Sequence, residues 1–92
     1  RAAYARTESK VPPVASVFRQ LDRLTIEVRA FDRVGLLYDL AKAIYSLGLD
    51  IQFAKIDTRG PKVVDVIAAL DRSDPAAARD EEIRRRIESA LA

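Results

Sequence analysis

Residues 31–49 read FDRVGLLYDLAKAIYSLGL. From residue 36 onward the apolar side chains recur at the spacing of one helical face. The predicted apolar stripe consists of Leu36, Leu37, Leu40, Ala41, Ile44 and Leu47. Gly48 directly follows the stripe, and a glycine in this place is typical of a helix C-terminus. The stretch therefore predicts one amphipathic helix, preceded by a short loop over residues 32–35.

Two β-prone segments precede this helix. Leu24–Ala30 alternates apolar and polar side chains with the period of a β-strand. Val14–Phe18 is also β-prone, and only Arg19–Arg23 separates the two segments. Because so short a connection joins antiparallel neighbours, we expect a β-hairpin.

Two further strands and a second helix are predicted after Gly48. Leu49–Phe53 begins a strand. Further along this strand the alternation of apolar and polar residues shifts by one position, which indicates a β-bulge. Arg59–Pro61 predicts a turn, and Lys62–Leu70 returns as a strand. Asp74 followed by Pro75 is typical of a helix start. The buried stripe predicted for that helix is Ile83, Ile87, Ala90 and Leu91.

The returning strand is apolar on both of its faces. We assign Val64, Val66, Ala68 and Leu70 to one face. The opposite face carries Val63, Ile67 and Ala69, and we interpret it as an outer face that associates with another domain.

The element order predicts an α+β, ferredoxin-like fold: an antiparallel sheet with two helices on one face. From the second strand onward the order is β-α-β-β-α, which lacks the final strand of that fold. We expect the N-terminal strand to occupy the place of the missing strand. Residues 1–10 are interpreted as a linker from a longer protein, and residues 11–92 as a single domain.

The composition excludes most catalytic and metal chemistry within these residues. The 92 residues include no His, Cys, Met or Trp. Cysteine nucleophiles, histidine bases and zinc sites are therefore absent, and we predict no catalytic residue and no metal site. No apolar run approaches eighteen residues, so no membrane span is predicted. Because no initiator Met opens the chain, we expect it to be part of a longer protein.

The charge distribution argues against nucleic acid as a partner. Residues 1–20 hold four basic and one acidic side chain, whereas the remaining residues hold 12 basic and 13 acidic ones. The basic excess thus belongs to the leading segment and not to the predicted domain. Arg84, Arg85 and Arg86 alternate at helical spacing with Glu81, Glu82 and Glu88, which is typical of a solvated helix face. Asp57, Asp65 and Asp71 are interpreted as surface ion-pairing residues rather than as a metal cluster.

Four segments together resemble the ACT domain, a regulatory module that binds small ligands. They are DRVGLLYDL at 32–40, LGLDI at 47–51, AKIDTRG at 54–60 and VVDV at 63–66. In order and spacing they are most similar to the C-terminal ACT domain of bifunctional PII uridylyltransferase/uridylyl-removing enzymes. The resemblance covers about residues 11–91.

The resemblance implies a function and a set of partners. It implies an allosteric domain that binds a small effector, expected to be glutamine, and that pairs with another ACT domain within one chain or between two chains. The parent enzyme would be cytoplasmic, would act on the PII nitrogen-signalling protein and would use Mg and UTP. The implied ligand residues are Asp32, Arg33, Val34, Gly35 and Leu36, with Asp50 and Ile51 opposite them.

Three positions differ from the usual family pattern. Val34 stands where the family usually has proline, Ile67–Leu70 stands where aromatic residues are usual, and Gln52–Phe53 is an unexpected pair. These differences favour a second hypothesis, a pairing module without a ligand, in which Asp32 merely caps the helix. An ACT domain of another amino-acid-sensing protein is a further alternative. An acylphosphatase-like enzyme on the same fold would need an Asn, and the sequence contains none.

Overall fold

One antiparallel sheet of four strands forms the domain, with two helices against one of its faces. The computed structural model describes residues 11–73 and 79–92. The strands follow the order β1-β2-β4-β3, and every neighbouring pair is antiparallel. The elements are β1 (Val14–Gln20), β2 (Arg23–Phe31), α1 (Leu36–Ser46), β3 (Leu49–Arg59), β4 (Lys62–Asp71) and α2 (Asp80–Leu91).

The N-terminal strand occupies the sheet edge that the ferredoxin-like fold normally gives to its last strand. β1 pairs with β2 from Val14 opposite Arg29 to Gln20 opposite Arg23, which confirms the predicted hairpin. The backbone N–H of Ala15 donates to Oε2 of Glu88 on α2 at 2.9 Å. This bond occupies a backbone N–H at the outer edge of β1. That N–H is therefore not available to pair with a further strand.

The core lies between the sheet and the two helices. Each helix buries three side chains: Leu36, Leu40 and Ile44 on α1, and Ile83, Ile87 and Leu91 on α2. They meet Leu24, Ile26 and Val28 of β2. The predicted stripe of α1 was too wide, because Leu37 and Ala41 are exposed. Their side of α1 faces away from α2, whereas Asp39, Lys42 and Ser46 line the groove between the helices.

The two faces of β4 are the reverse of the predicted assignment. Val63, Ile67 and Ala69 are buried in the core. The half-buried outer face carries Val64, Val66, Ala68 and Leu70. Both faces of this central strand are apolar, so alternation alone did not indicate which one meets the helices. The apolar outer face of β4 is therefore formed by the other set of residues, and its role in association stays a prediction.

The predicted bulge, turn and ion pairs are confirmed. The β3–β4 register shifts between Ile51 and Phe53, and β3 ends at Arg59 before the turn into β4. On α2, Arg84 pairs with Glu81 and Glu88, Arg85 with Glu81, and Arg86 with Glu82. The described helix begins at Asp80. The predicted start at Asp74–Pro75 and the predicted linker over residues 1–10 lie outside the described residues. Neither described helix has the length and apolar character of a membrane span.

A cluster of ion pairs around the buried Asp71 connects the end of β4 to β1, to the C-terminal end of α1 and to the N-terminal end of α2. Oδ2 of Asp71 accepts from Arg19 on β1 at 2.8 Å, and its Oδ1 accepts from Arg79 at 3.1 Å and from the Ser73 hydroxyl at 2.6 Å. Arg79 also donates to the carbonyl oxygen of Leu47, just beyond α1, at 2.7 Å. Arg19 in turn reaches Asp80 at the start of α2. Asp71 therefore joins elements that are far apart in sequence.

Candidate functional site

The loop from Asp32 to Leu36, here called the entry loop, leads from β2 into α1. Its first residue is fixed to the neighbouring turn, because the N–H of Asp32 donates to the carbonyl oxygen of Pro61 at 2.8 Å. Gly35 precedes the helix with φ at 83°, a left-handed conformation that glycine adopts without a Cβ clash. No side chain caps α1, so Asp32 does not act as the cap of this helix.

The exposed N-terminus of α1 gives the entry loop a local preference for negative charge. Uncapped amide groups and the helix dipole both favour an anion such as a carboxylate. The Arg33 guanidinium adds positive charge and is held by Asp39, whose Oδ2 lies 2.8 Å from Nη2. Val34 is 99% exposed and contributes nothing to the core. All four residues that precede α1, from Asp32 to Gly35, are exposed at the surface.

Asp50 and Ile51 begin β3 at the other end of α1. Oδ2 of Asp50 lies 3.1 Å from Nη2 of Arg72, an exposed ion pair. Both residues line a surface hollow of about 640 Å³ together with Tyr45, Ser46, Gly48 and Leu49. The negative charge of the Asp50 carboxylate is therefore already balanced by the Arg72 guanidinium.

Within one chain the two groups of predicted ligand residues do not share a pocket. Asp50 lies opposite Leu70 on β4, whereas the entry loop lies beside Pro61, beyond the other end of β3. About nine strand residues separate these positions, which corresponds to about 30 Å along the strand. Within a single copy the entry loop precedes the N-terminus of α1 and Asp50–Ile51 follow its C-terminus, so this helix of 11 residues, about 16 Å long, lies between the two groups.

A surface that the sequence reasoning missed lies along α1 and β3. Here it is called the edge surface, and it comprises Leu37, Ala41 and Tyr45 of α1 with Ile51, Ala54 and Ile56 of β3. Tyr45 and Ile51 line the same hollow. The register with the core-facing residues of β4 places the three β3 residues on the helix side of the sheet. The exposed apolar positions 37, 41 and 45 already followed a helical spacing, which could have indicated this surface.

The three aspartates predicted to pair at the surface have three different environments. Asp57 pairs with Arg59 at 2.9 Å, as predicted. Asp71 is instead buried in the ion cluster, and Asp65 is fully buried, with no hydrogen-bond partner for either carboxylate oxygen in the part of the chain that the structure describes. Burial, and secondarily the charge of Asp32, raises the pKa of the Asp65 carboxyl above its ordinary value. The described part of the chain contains no cluster of three acidic side chains able to hold a metal ion.

Comparison with known proteins identifies the family. The sequence pattern of the ACT domain matches residues 24–90, from the first core residue of β2 almost to the end of α2. The chain belongs to the ACT domain family. The order of its strands and helices and the position of the entry loop agree with this assignment.

The ACT domain is similar to part of much longer enzymes. It is 52% identical over 46 residues to a bifunctional uridylyltransferase/uridylyl-removing enzyme of Azospirillum brasilense, covering 50% of this chain and 5% of that enzyme. It is 41% identical over 63 residues to the enzyme of the same name from Bradyrhizobium sp. (strain ORS 278), covering 66% of this chain and 7% of that enzyme. The domain therefore spans about one-twentieth of the length of these relatives.

A solved structure supports the fold alone. The ACT domain superposes with a TM-score of 0.61 and 21% identity on an unknown protein from Galdieria sulphuraria, over 76% of this chain and 39% of that one. Together the comparisons show an ACT regulatory domain similar to that of uridylyltransferase/uridylyl-removing enzymes. ACT domains typically bind small effectors and pair with other ACT domains.

Proposed function

We propose that this ACT domain binds glutamine at a junction with a second ACT domain and thereby controls a longer enzyme that adds uridylyl to the PII protein or removes it. The observation that supports the proposal is the outer edge of β3, which pairs with no other described strand and is flanked by exposed apolar side chains of α1. The names of the relatives support the enzyme class. The catalytic domains of that enzyme would use Mg and UTP.

The free edge of β3 favours pairing with another ACT domain. Among residues 11–73 and 79–92, β3 pairs with β4 alone, and every residue from Asp50 to Ile56 is exposed. Unpaired backbone groups of an edge strand are a template for a further strand. The adjoining edge surface includes Tyr45, which is 83% exposed, and Leu37, which is 52% exposed. Burying these side chains against a second copy would remove apolar area from water.

Two-fold pairing would recombine the separated ligand residues. A two-fold axis perpendicular to the sheet, placed beside β3, pairs this strand with its own copy in an antiparallel sense. The Asp50–Ile51 end of one copy then lies beside the entry loop of the other. The same two-fold axis places both α1 helices on one side of the extended sheet, where the edge surfaces of the two copies meet. A site incomplete in one copy is thus completed by the second.

The chemistry of the entry loop suits an amino-acid effector. The α-carboxylate of glutamine would lie at the N-terminus of α1, where amide groups and the helix dipole favour an anion. Because the effector would touch both copies, it would bind the paired arrangement more tightly than any other. That difference in affinity is what allows a ligand to shift the balance between two states of an enzyme.

The edge surface gives a direct prediction about association. The double variant Leu37→Glu/Tyr45→Glu places charges in the proposed apolar contact, and we expect dimerisation at least about 100-fold weaker than in the wild type. Lys42→Glu changes the charge by the same amount on the side of α1 that faces α2, and it should leave dimerisation unchanged. Sedimentation equilibrium from micromolar to near-millimolar protein measures both effects. A wild-type chain that stays monomeric throughout would contradict pairing between two copies.

Glutamine binding is the second measurement. We expect titration calorimetry to show a Kd of about 1 mM or tighter, equivalent to about −4 kcal/mol. The double variant should bind at least about tenfold more weakly, because its sites are incomplete. In the longer enzyme, glutamine should shift the ratio of uridylyl addition to uridylyl removal on PII. The absence of heat in the paired wild-type domain at millimolar glutamine would overturn the sensing role.

A ligand-free pairing module is the second candidate. It is favoured by Val34, because the entry loop lacks the proline that is usual there in the family and makes no core contact at this residue. Dimerisation without glutamine binding is the result that would select this candidate.

A further inference from the structure

The face of the sheet opposite the two helices, here called the outer face, is apolar along its central strand. Its middle is a stripe of half-buried side chains on β4: Val64, Val66, Ala68 and Leu70. β2 lies on one side of this stripe and β3 on the other. Both helices pack against the other face of the sheet, so neither covers the stripe. An apolar stripe of this kind, bordered by polar residues, is typical of a contact surface.

The charged residues beside the stripe follow a regular pattern. Residues that lie side by side across the sheet are here said to share a level. Three levels carry one basic and one acidic side chain on opposite sides of β4: Arg23 and Asp50, Glu27 and Lys55, and Arg29 and Asp57. In each pair the first residue belongs to β2 and the second to β3. Because β4 lies between them, the two backbones at one level are about 10 Å apart within a copy.

We propose that the outer face stacks on the outer face of a second copy of this chain. A two-fold axis that runs along β4, midway between the two sheets, places β2 of each copy over β3 of the other. Every residue keeps its level under this rotation, so Glu27 faces Lys55 of the second copy and Arg29 faces its Asp57. Opposite charges therefore meet at all three levels. Stacked sheets lie about 10 Å apart, which extended Glu and Lys side chains can span from the two sides.

The same rotation also matches an exposed aromatic side chain to a hollow. Phe53 shares the level of Ala68 on β3 and is 63% exposed. The residue of β2 at this level is Thr25, which lines a hollow of about 350 Å³ together with Phe18 and Gln52. Each copy thus places its Phe53 over Thr25 of the other, and the ring enters the hollow. Burial of this ring removes apolar area from water.

The charge pattern favours a second copy over other occupants. A partner of one charge sign, such as nucleic acid, would meet repulsion at every level, because each level carries both signs. The apolar stripe meets its own copy along the axis. Lys62, at the end of β4, is the one cation close to the axis among the described residues of the outer face. Its ammonium lies over the Phe31 ring on β2, 5.8 Å from the centroid, and is thereby drawn to the side.

The size of the outer face indicates a weak contact. Four strands of about eight residues cover about 19 by 26 Å, so that pairing would bury about 1,000 Å² over both copies. This is the lower limit for a specific interface, and we expect a Kd of about 0.1–1 mM. The contact is separate from the edge surface, whose side chains lie on the helix side of the sheet. It therefore does not rest on the proposed function.

The test measures self-association of charge-reversed variants by sedimentation equilibrium, up to about 1 mM protein. All variants are made in Leu37→Glu/Tyr45→Glu, where pairing at the β3 edge is weakened and the remaining dimer reports on the outer face. Lys55→Glu places a carboxylate opposite Glu27 of the second copy, and Glu27→Lys places two ammonium groups opposite each other. Each change should weaken association at least about tenfold. Lys42→Glu, with the same change of charge on the helix side, should leave association unchanged.

Mixing the two variants is the decisive step. In an equimolar mixture of Lys55→Glu and Glu27→Lys, one copy carries two acids and the other two bases at the central level. Both contacts of the mixed dimer are attractive, so association should return to within about threefold of the background variant. Phe53→Ser tests the hollow without changing the charge, and it should weaken association at least about tenfold. Thermal unfolding verifies that all variants are folded.

Three results would overturn the stacked arrangement. They are a background variant that stays monomeric up to about 1 mM, a mixture that associates as weakly as its two components, and a loss for Lys42→Glu equal to that for Lys55→Glu. Glutamine binding is measured separately on the same proteins. Stacking without glutamine binding contradicts the proposed function alone, and glutamine binding without stacking contradicts this inference alone.

Discussion

Replacing Asp71 with alanine is expected to lower the free energy of unfolding by about 3–5 kcal/mol. The Asp71 side chain is only 2% exposed, and it accepts bonds from Arg19 and Arg79, whose side chains are 18% and 21% exposed. Removing the carboxylate leaves two partly buried guanidinium groups without their counter-charge. It also releases the contact that holds β1 and α2 to the end of β4. The loss should therefore be close to that of a broken buried ion pair.

Chemical denaturation of the wild type and of Asp71→Ala at pH 7 measures this loss. The control is Asp57→Ala, because the Asp57–Arg59 pair is exposed and should contribute less than about 1 kcal/mol. Burial opposes ionisation of Asp71, but the bonds from Arg79, Ser73 and Arg19 outweigh it and hold the pKa of the carboxyl well below its ordinary value. Its stabilising contribution is therefore complete above about pH 4 and is lost as the pH falls further. Equal losses for both variants at pH 7 would show that the cluster is not a structural anchor.

Replacing Asp65 with valine should have the opposite effect, raising the free energy of unfolding by about 1–3 kcal/mol at pH 7. The substitution removes a buried carboxyl that has no partner among the described residues, and it supplies an apolar side chain of similar size. Val28 and Ile56 on the neighbouring strands provide apolar surroundings for it.

The pH dependence of this gain has a definite sign. Because the folded pKa of Asp65 is raised, the cost of burying its charge is absent below the pKa of the unfolded chain and grows as the pH rises toward the folded value. The advantage of Asp65→Val should thus shrink when the pH is lowered from 7 toward about 4. Denaturation curves at several pH values measure this change. An advantage that is absent at pH 7 would show that Asp65 has found a compensating partner.

Most of the fold was predictable because local patterns set it. The period of Leu24–Ala30, the stripe ending before Gly48 and the turn at Arg59–Pro61 each restrict the backbone within a few residues. The place of β1 was also predictable, since a short hairpin allows few alternatives and the ferredoxin-like order left one edge open. By contrast, β4 has apolar residues at nearly every position. Its core face was therefore assigned wrongly from alternation alone.

The candidate site was less predictable, because it depends on distances between elements. Sequence similarity placed Asp32–Leu36 and Asp50–Ile51 in one site, yet within a chain α1 lies between them and the strand register sets Asp32 and Asp50 about 30 Å apart along the sheet. Only the exposed edge of β3 suggests how a second copy would bring them together. Likewise, Asp57, Asp65 and Asp71 were indistinguishable as acidic residues in strands. Their environments differ because register and helix placement decide what lies above each carboxylate.

The sequence by itself determined the element order, the loop that leads into α1 and the absence of histidine and cysteine chemistry, because these depend on residue type and near neighbours. The tertiary structure decided which face of β4 is buried and, within the described ranges, which sheet edge stays open and which acid lacks a partner. Those properties arise when strands distant in sequence are aligned and one helix covers part of the sheet. Asp65 shows the difference most clearly: an aspartate between two valines in the sequence becomes, in the fold, a fully buried carboxyl without a hydrogen-bond partner among the described residues.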